Sequence, residues 1–411
     1  MKILLIVDPE RRDWFEYLKR AGNHDYLLLW HEKAADVPEA LWEDPFFKKV
    51  YYWEEFRTPI ILLKTIKPDR IIFFEIIDQR QIALLVVANA SSIKTFYLEH
   101  GAAGDRETAI RRGNEKAFFR KKKLQYIAGR IKRGLSSLFK SKFFYFSAIF
   151  HLRSLGSSLK FVRLPFVMLS NTPNKALARI IFPERIPGLS IVFNRPNFEQ
   201  YQVYTGITEN QAVFTGVPIF DSYFNRNTSE GDHLSFIDHP YLEQRLFGWS
   251  PEFHRMLANT LYEFAKSRKT RILVKLHPTS NLKLWESYGF DPAYIDVVQA
   301  GDYSKELLSS KLILAYSSSM VNGFLCARKN IVLLGWHPVP GIIGVDFSRT
   351  GLCHLSLSPA DLGEKMDWWL SNNLSVKNEE AYLQYLERFN YPFDGQASNR
   401  VIKVITGNEA P

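Results

Sequence analysis

The chain has 411 residues, 46% of them apolar and 14% aromatic, with 53 Lys or Arg against 43 Asp or Glu, a net charge of +10. That length exceeds what one hydrophobic core spans, and the aromatic share speaks against disorder, so two folded domains are expected. Two cysteines, Cys326 and Cys353, offer neither a disulfide framework nor zinc spacing, and no stretch of eighteen apolar residues runs free of charge, which points to a cytoplasmic chain with no membrane span.

The opening "MKILLIVDPE" carries five apolar residues that end in an acid and a proline. That is too short for a signal-peptide core and predicts a first strand over 2–7. Further strands are predicted over 25–30, 70–76 and 95–100, with helical spacing over 11–21 and 78–90 between them. The pattern continues with strands over 166–171, 189–194 and 211–216 and helices over 173–182 and 197–205. Apolar runs without alternation suit strands buried on both faces, and strand–helix alternation implies parallel crossovers.

The polar run "NRNTSEGDH", 225–233, lacks an apolar face and reads as a break between domains. Beyond it come a helix over 251–268, strands over 271–276, 294–300, 311–316 and 330–336, helices over 304–310 and 319–328, and a last helix over 379–390. The predicted fold class is α/β, two Rossmann-like doubly wound domains facing a central cleft. The first spans 1–224 and the second 235–390, joined by 225–234, with a tail over 391–411 returning toward the first. Ligands of such sheets bind outside the carboxyl ends of the strands.

Three motifs fall at such ends. In "ILVKLHPTS", 272–280, Pro278 stops the ladder and holds His277 extended at the rim, with Lys275 in the strand before it. In "AYSSSMVNGF", 315–324, Ser317, Ser318 and Ser319 fall where a strand gives way to a helix, a place where hydroxyls cap free N–H groups and an anion can sit. In "VFTGVPIFD", 213–221, Gly216 and Pro218 suit a hinge, with Asp221 as a turn residue. In the first domain Glu75 and His100 also follow apolar runs, and either could orient or deprotonate an acceptor hydroxyl. Gly101 and Gly104 allow close ligand approach there. A second strand-end His-Pro includes His337, and Arg11 and Arg12 follow the first strand.

The hinge, His-Pro and Ser motifs in this order, with "DGQASNR" at 394–400, resemble GT-B glycosyltransferases that build bacterial surface polymers: teichoic-acid glycerophosphotransferases, polysialyltransferases and Kdo transferases. The resemblance covers about 213–400. It implies that His277, Pro278, Ser317, Ser318 and Ser319 contact a cytidine nucleotide, with Lys275 and Gly216 beside them. Size, a basic first domain and the acid in "SEGDH" make the chain most similar to retaining β-Kdo transferase domains of O-antigen capping enzymes, the WbbB type. That similarity implies transfer of Kdo from CMP-β-Kdo to a lipid-linked saccharide, with Asp232 as the nucleophile of a double displacement. CMP leaves with one phosphodiester, which an imidazole and helix-end N–H groups can stabilise, so no metal or other cofactor is expected.

Between Arg111 and Arg163 stand fifteen Lys or Arg and one acid, Glu115, a local +14 that leaves −4 elsewhere. In 118–140 apolar residues take one helical face and basic residues the other, and aromatic residues follow. Such a segment suits the surface of an anionic inner membrane, with the chain peripheral to it. No helix-turn-helix, zinc or RNA-sheet signature accompanies the charge, so nucleic acid is not an expected partner. The competing readings are a sialyl- or glycerophosphotransferase, a non-hydrolysing sugar-nucleotide epimerase, and a non-catalytic basic lipid- or nucleic-acid-binding module.

Overall fold

The computed structural model describes residues 1–22, 24–36, 45–101, 135–224, 231–299, 301, 303–316, 318–339, 345–363, 366 and 372–407. Contacts gather these into two units: one takes the described residues up to Ile219 and again from Gln396, the other those from Phe220 to Gly395. The chain thus passes between units at Ile219, ahead of the 225–234 segment, of which 225–230 lie outside the described residues.

The first unit holds seven parallel strands: β1 (Lys2–Ile6), β2 (Asp25–Leu29), β3 (Lys49–Tyr51), β4 (Arg70–Phe73), β5 (Lys94–Leu98), β6 (Leu189–Val192) and β7 (Ala212–Phe214). Their order is β3-β2-β1-β4-β5-β6-β7. β1 is central, Leu4 lying opposite Leu27 on one side and Ile71 on the other, and Ile3 to Ile6 are fully buried. Local chemistry sets the helix starts. Thr58 accepts from the Ile61 N–H at 3.3 Å ahead of the helix Pro59–Ile66, and Asp78 opens the helix Gln79–Ala90 with a reciprocal capping box.

The second unit holds six parallel strands: β8 (Leu234–Ile237), β9 (Ile272–Lys275), β10 (Ile295–Val298), β11 (Ile313–Ala315), β12 (Ile331–Leu334) and β13 (His354–Ser356), in the order β10-β9-β8-β11-β12-β13. Counted within each unit, the second sheet runs 3-2-1-4-5-6, the order of dinucleotide-binding doubly wound folds, and the first runs the same with a seventh strand at its end; in both the reversal lies beside the first strand. The helix Pro251–Arg268, capped by Ser250, buries Leu257, Leu261 and Phe264 against this sheet.

Some elements differ from the sequence expectation. The run 166–171, predicted as a strand, is the end of the helix Leu155–Ser170, and 11–21 forms two 3-10 turns rather than an α-helix. β3, β8, β13 and the helices Pro59–Ile66 and Ala397–Thr406 had no counterpart in the prediction. Both cysteines are buried and free. Among the described residues, no helix is long and apolar enough to cross a membrane. The basic segment 118–134 lies outside them.

Candidate functional site

In the second unit three strands end in His-Pro. β8 runs into Asp238-His239-Pro240, β9 into Leu276-His277-Pro278, and β12 into Gly335-Trp336-His337-Pro338. Each proline lacks the N–H that would extend the ladder, so each imidazole is left at the carboxyl edge of the sheet. His239 and His277 face each other with ring centroids 6.0 Å apart, and His239 stacks on Tyr241 at 4.1 Å. β8 lies between β9 and β11, so one edge carries His277, then Asp238 and His239, then the residues that follow β11.

His277 is held in one tautomer. Its Nδ1 accepts the Thr279 backbone N–H at 3.1 Å, which puts the neutral ring's proton on Nε2, where it can donate to a phosphate oxygen. Gln299 fixes the loop by donating to the His277 carbonyl at 3.1 Å and to that of Ser280 at 2.7 Å. Asp238, buried at the end of β8, donates its backbone N–H to the Lys275 carbonyl at 3.0 Å, and burial pushes its carboxyl up to about 7. Lys275 is engaged elsewhere: its ammonium donates to the Gln299 carbonyl, and burial lowers its pKa. Pro278 is exposed at the rim.

Ser318 and Ser319 lead into the helix Met320–Cys326. The Ser318 hydroxyl accepts the Met320 N–H at 3.3 Å, while Ser319 makes no side-chain capping bond. Ser317 lies outside the described residues. His337 is shut into an aromatic box, 5.3 Å from the Tyr241 ring and 5.0 Å from that of Tyr316. Its Nδ1 accepts from the Trp249 indole at 3.1 Å, and burial pushes its pKa down to about 3, which keeps the ring neutral.

Asp232 does not join this edge. It precedes β8 at the opposite, amino end of the sheet, is exposed, and its carbonyl accepts from Thr270, a residue just ahead of β9. Strands in this unit are parallel, so the whole length of β8 separates Asp232 from the His277 rim. Asp232, expected as the nucleophile, and His277, expected at the nucleotide, thus stand at opposite ends of β8.

In the first unit Glu75 follows β4, and Glu99 and His100 follow β5. The His100 imidazole lies between two carboxyls, Nε2 3.8 Å from Glu75 Oε1 and Nδ1 3.7 Å from Glu99 Oε1. Glu99 also accepts the His100 backbone N–H at 2.9 Å and the Tyr97 hydroxyl at 3.2 Å. Trp14 covers the imidazole at 4.2 Å and carries the Arg11 guanidinium at 4.3 Å. Burial raises both carboxyls. They and His100 open on a cavity of about 270 Å³ whose wall includes Arg185, Asn197 and Tyr201. A raised carboxyl beside an imidazole can take a proton from a hydroxyl and pass it on.

Gly101 follows this cluster, its carbonyl accepting from Asn197 at 2.9 Å, and Gly104 lies outside the described residues. Gly216, after β7, has φ +74°, a conformation that favours glycine. Arg11 is paired with Asp13 at 2.9 Å. The sequence reading missed Asp238, His239, Glu99 and Trp14. For the first two the signal was present, since "IDHP" at 237–240 repeats the apolar-then-His-Pro form of "LHP" at 276–278. Among the described residues no three His, Cys, Asp or Glu gather as a metal-binding group.

No family model and no curated protein matches the chain in sequence. Solved structures match it in fold. The glycotransferase of kitacinnamycin has a TM-score of 0.54 at 10% identity, covering 100% of this chain and 99% of its own. The wall teichoic acid polymerase TagF with CDPG has a TM-score of 0.53 at 12% identity, covering 99% and 88%. A putative UDP-N-acetylglucosamine 2-epimerase from Listeria monocytogenes has a TM-score of 0.52 at 12% identity, covering 100% and 98%. At these identities the likeness is one of fold: this chain is built from two parallel Rossmann-like sheets, as GT-B-type proteins are.

Proposed function

We propose that the chain is a glycosyltransferase that takes Kdo from CMP-β-Kdo and transfers it to a lipid-linked saccharide. The observation that carries this reading is the carboxyl edge of the second sheet, where His277, with its proton on Nε2, and the Ser318 helix start flank β8 at the reversal of strand order. A cytidylate there would meet an imidazole donor and the exposed Ser319 hydroxyl, which makes no capping bond. The same-fold neighbours include a glycotransferase and a polymerase with CDPG, which supports a nucleotide-activated donor. The motif resemblance supports a cytidine nucleotide, and the chain's size and basic first domain support Kdo as the sugar it carries. Glu75, raised by burial and bridged through His100 to Glu99, serves as the acceptor-side base in this reading.

No step is assigned to Asp232, because it lies at the amino edge of the sheet. The anomeric configuration of the product, read by NMR, reports whether transfer retains. The decisive experiment pairs CMP titration with release of CMP from CMP-Kdo in the presence of acceptor. His277→Ala is expected to weaken CMP binding at least tenfold, and Asp232→Asn to keep transfer within about twofold. Unchanged CMP affinity in the first variant, or turnover of UDP-GlcNAc instead of CMP-Kdo, overturns the reading.

A further inference from the structure

The helix Leu155–Ser170 in the first unit turns an apolar stripe outward. Leu155, Leu159, Val162, Phe166 and Leu169 recur at steps of three and four residues, which confines them to about 80° of arc at 100° per residue. Leu155, Leu159, Phe166 and Leu169 are between 62% and 77% exposed, and Phe150, just ahead of the helix, is 89% exposed. The opposite face is the one that packs inward: Ser157, Phe161 and Leu164 are buried, and Ser157 is tied to Glu184 at 2.7 Å. The exposed stripe is therefore no by-product of a loose helix, because the core side is separately satisfied.

Charge selects the occupant. From residue 135 to residue 183 the chain carries seven Lys or Arg and no Asp or Glu. Arg153, Lys160 and Arg163 are exposed on or beside the helix. An apolar stripe with Arg163 about 40° of arc beyond its edge, and further cations on long stems nearby, matches a surface that is apolar below and anionic above.

We propose that this stripe, with Phe150, docks the chain on the surface of an anionic lipid bilayer. The apolar side chains enter the acyl boundary while Arg163, Lys160 and Arg153 meet lipid phosphates. This rests on exposure and charge alone and stands apart from the transferase reading, since it requires no donor, acceptor or turnover.

The test uses the full chain in vesicle flotation. Vesicles of mixed phosphatidylglycerol and phosphatidylcholine are expected to carry the protein at low salt, and pure phosphatidylcholine vesicles to carry at least tenfold less. The triple variant Phe150→Ser, Leu159→Ser, Phe166→Ser is expected to lose at least tenfold in binding to the anionic vesicles, with circular dichroism and thermal midpoint unchanged. A second variant guards against misfolding: Leu159→Cys, labelled with an environment-sensitive fluorophore, is expected to shift to the blue on adding anionic vesicles. Cys326 and Cys353 are buried, so the label goes to the new thiol. Failure of the wild type to float with anionic vesicles overturns the proposal. So does equal binding by the triple variant, a label that does not shift, or a wild-type dimer that the triple variant converts to monomer, which would make the stripe a contact between copies.

Discussion

Asp238 is the residue whose chemistry is most displaced by its setting. Its backbone N–H donates to the Lys275 carbonyl at 3.0 Å, which binds the His277 loop to β8, and its carboxyl is fully buried. Burial raises its pKa from 3.8 to about 7. The folded chain therefore keeps a proton there that the unfolded chain gives up, so this contribution to stability is full below about pH 4 and is lost as pH rises toward 7. His337 and His254 act in the opposite sense. Burial lowers them from 6.5 to about 3 and about 4, so their contribution is present above pH 6.5 and is lost on acidification. The difference between wild type and Asp238→Asn isolates the acid. In urea unfolding at a series of pH values, that difference is expected to decline by up to about 1.4 kcal/mol per pH unit between pH 4 and 7. A flat difference would mean Asp238 ionises in the folded state as it does in the unfolded.

The helix Met320–Cys326 shows how one element is fixed against its neighbours. Gly323 lies against the Phe220 ring, and a Cβ at that position would come within 2.7 Å of it. Gly323→Ala is expected to destabilise the second unit by about 1–3 kcal/mol through overpacking, read as a lower urea midpoint with an unchanged slope. Elements of this kind were legible to different degrees. β1, β2, β4, β9 and β12 announce themselves because strands buried on both faces are apolar without interruption. The run 166–171 misled for the same reason: a helix that buries one face and exposes apolar side chains on the other also reads as an unbroken apolar run. β8 escaped because Ser235 interrupts its short apolar run and His233 and Asp238 flank it, although it is the strand on which the site is centred.

At the scale of the whole molecule, the last helix belongs with the first unit. Ala397–Thr406 buries Val401 and Ile405, and Arg70 donates to the Thr406 carbonyl at 2.9 Å while Arg400 donates to that of Thr215 at 2.8 Å. Removing residues 396–411 is expected to cost the first unit about 3–6 kcal/mol, from the two apolar side chains alone. Hydrogen exchange reads this as lost protection of the β1 and β4 amides, and unchanged protection would show the helix to be dispensable. The sequence by itself determined two doubly wound sheets and the positions of His277, Ser318 and Glu75 at strand ends, since these follow from runs and breakers a few residues long. Only the tertiary structure decided which of them share an edge. It separated Asp232 from His277 by the length of β8, shut His337 into an aromatic box, and set Glu99 against His100. Strand order, burial and the direction of an edge arise from contacts between residues far apart in the chain, and no local pattern encodes them.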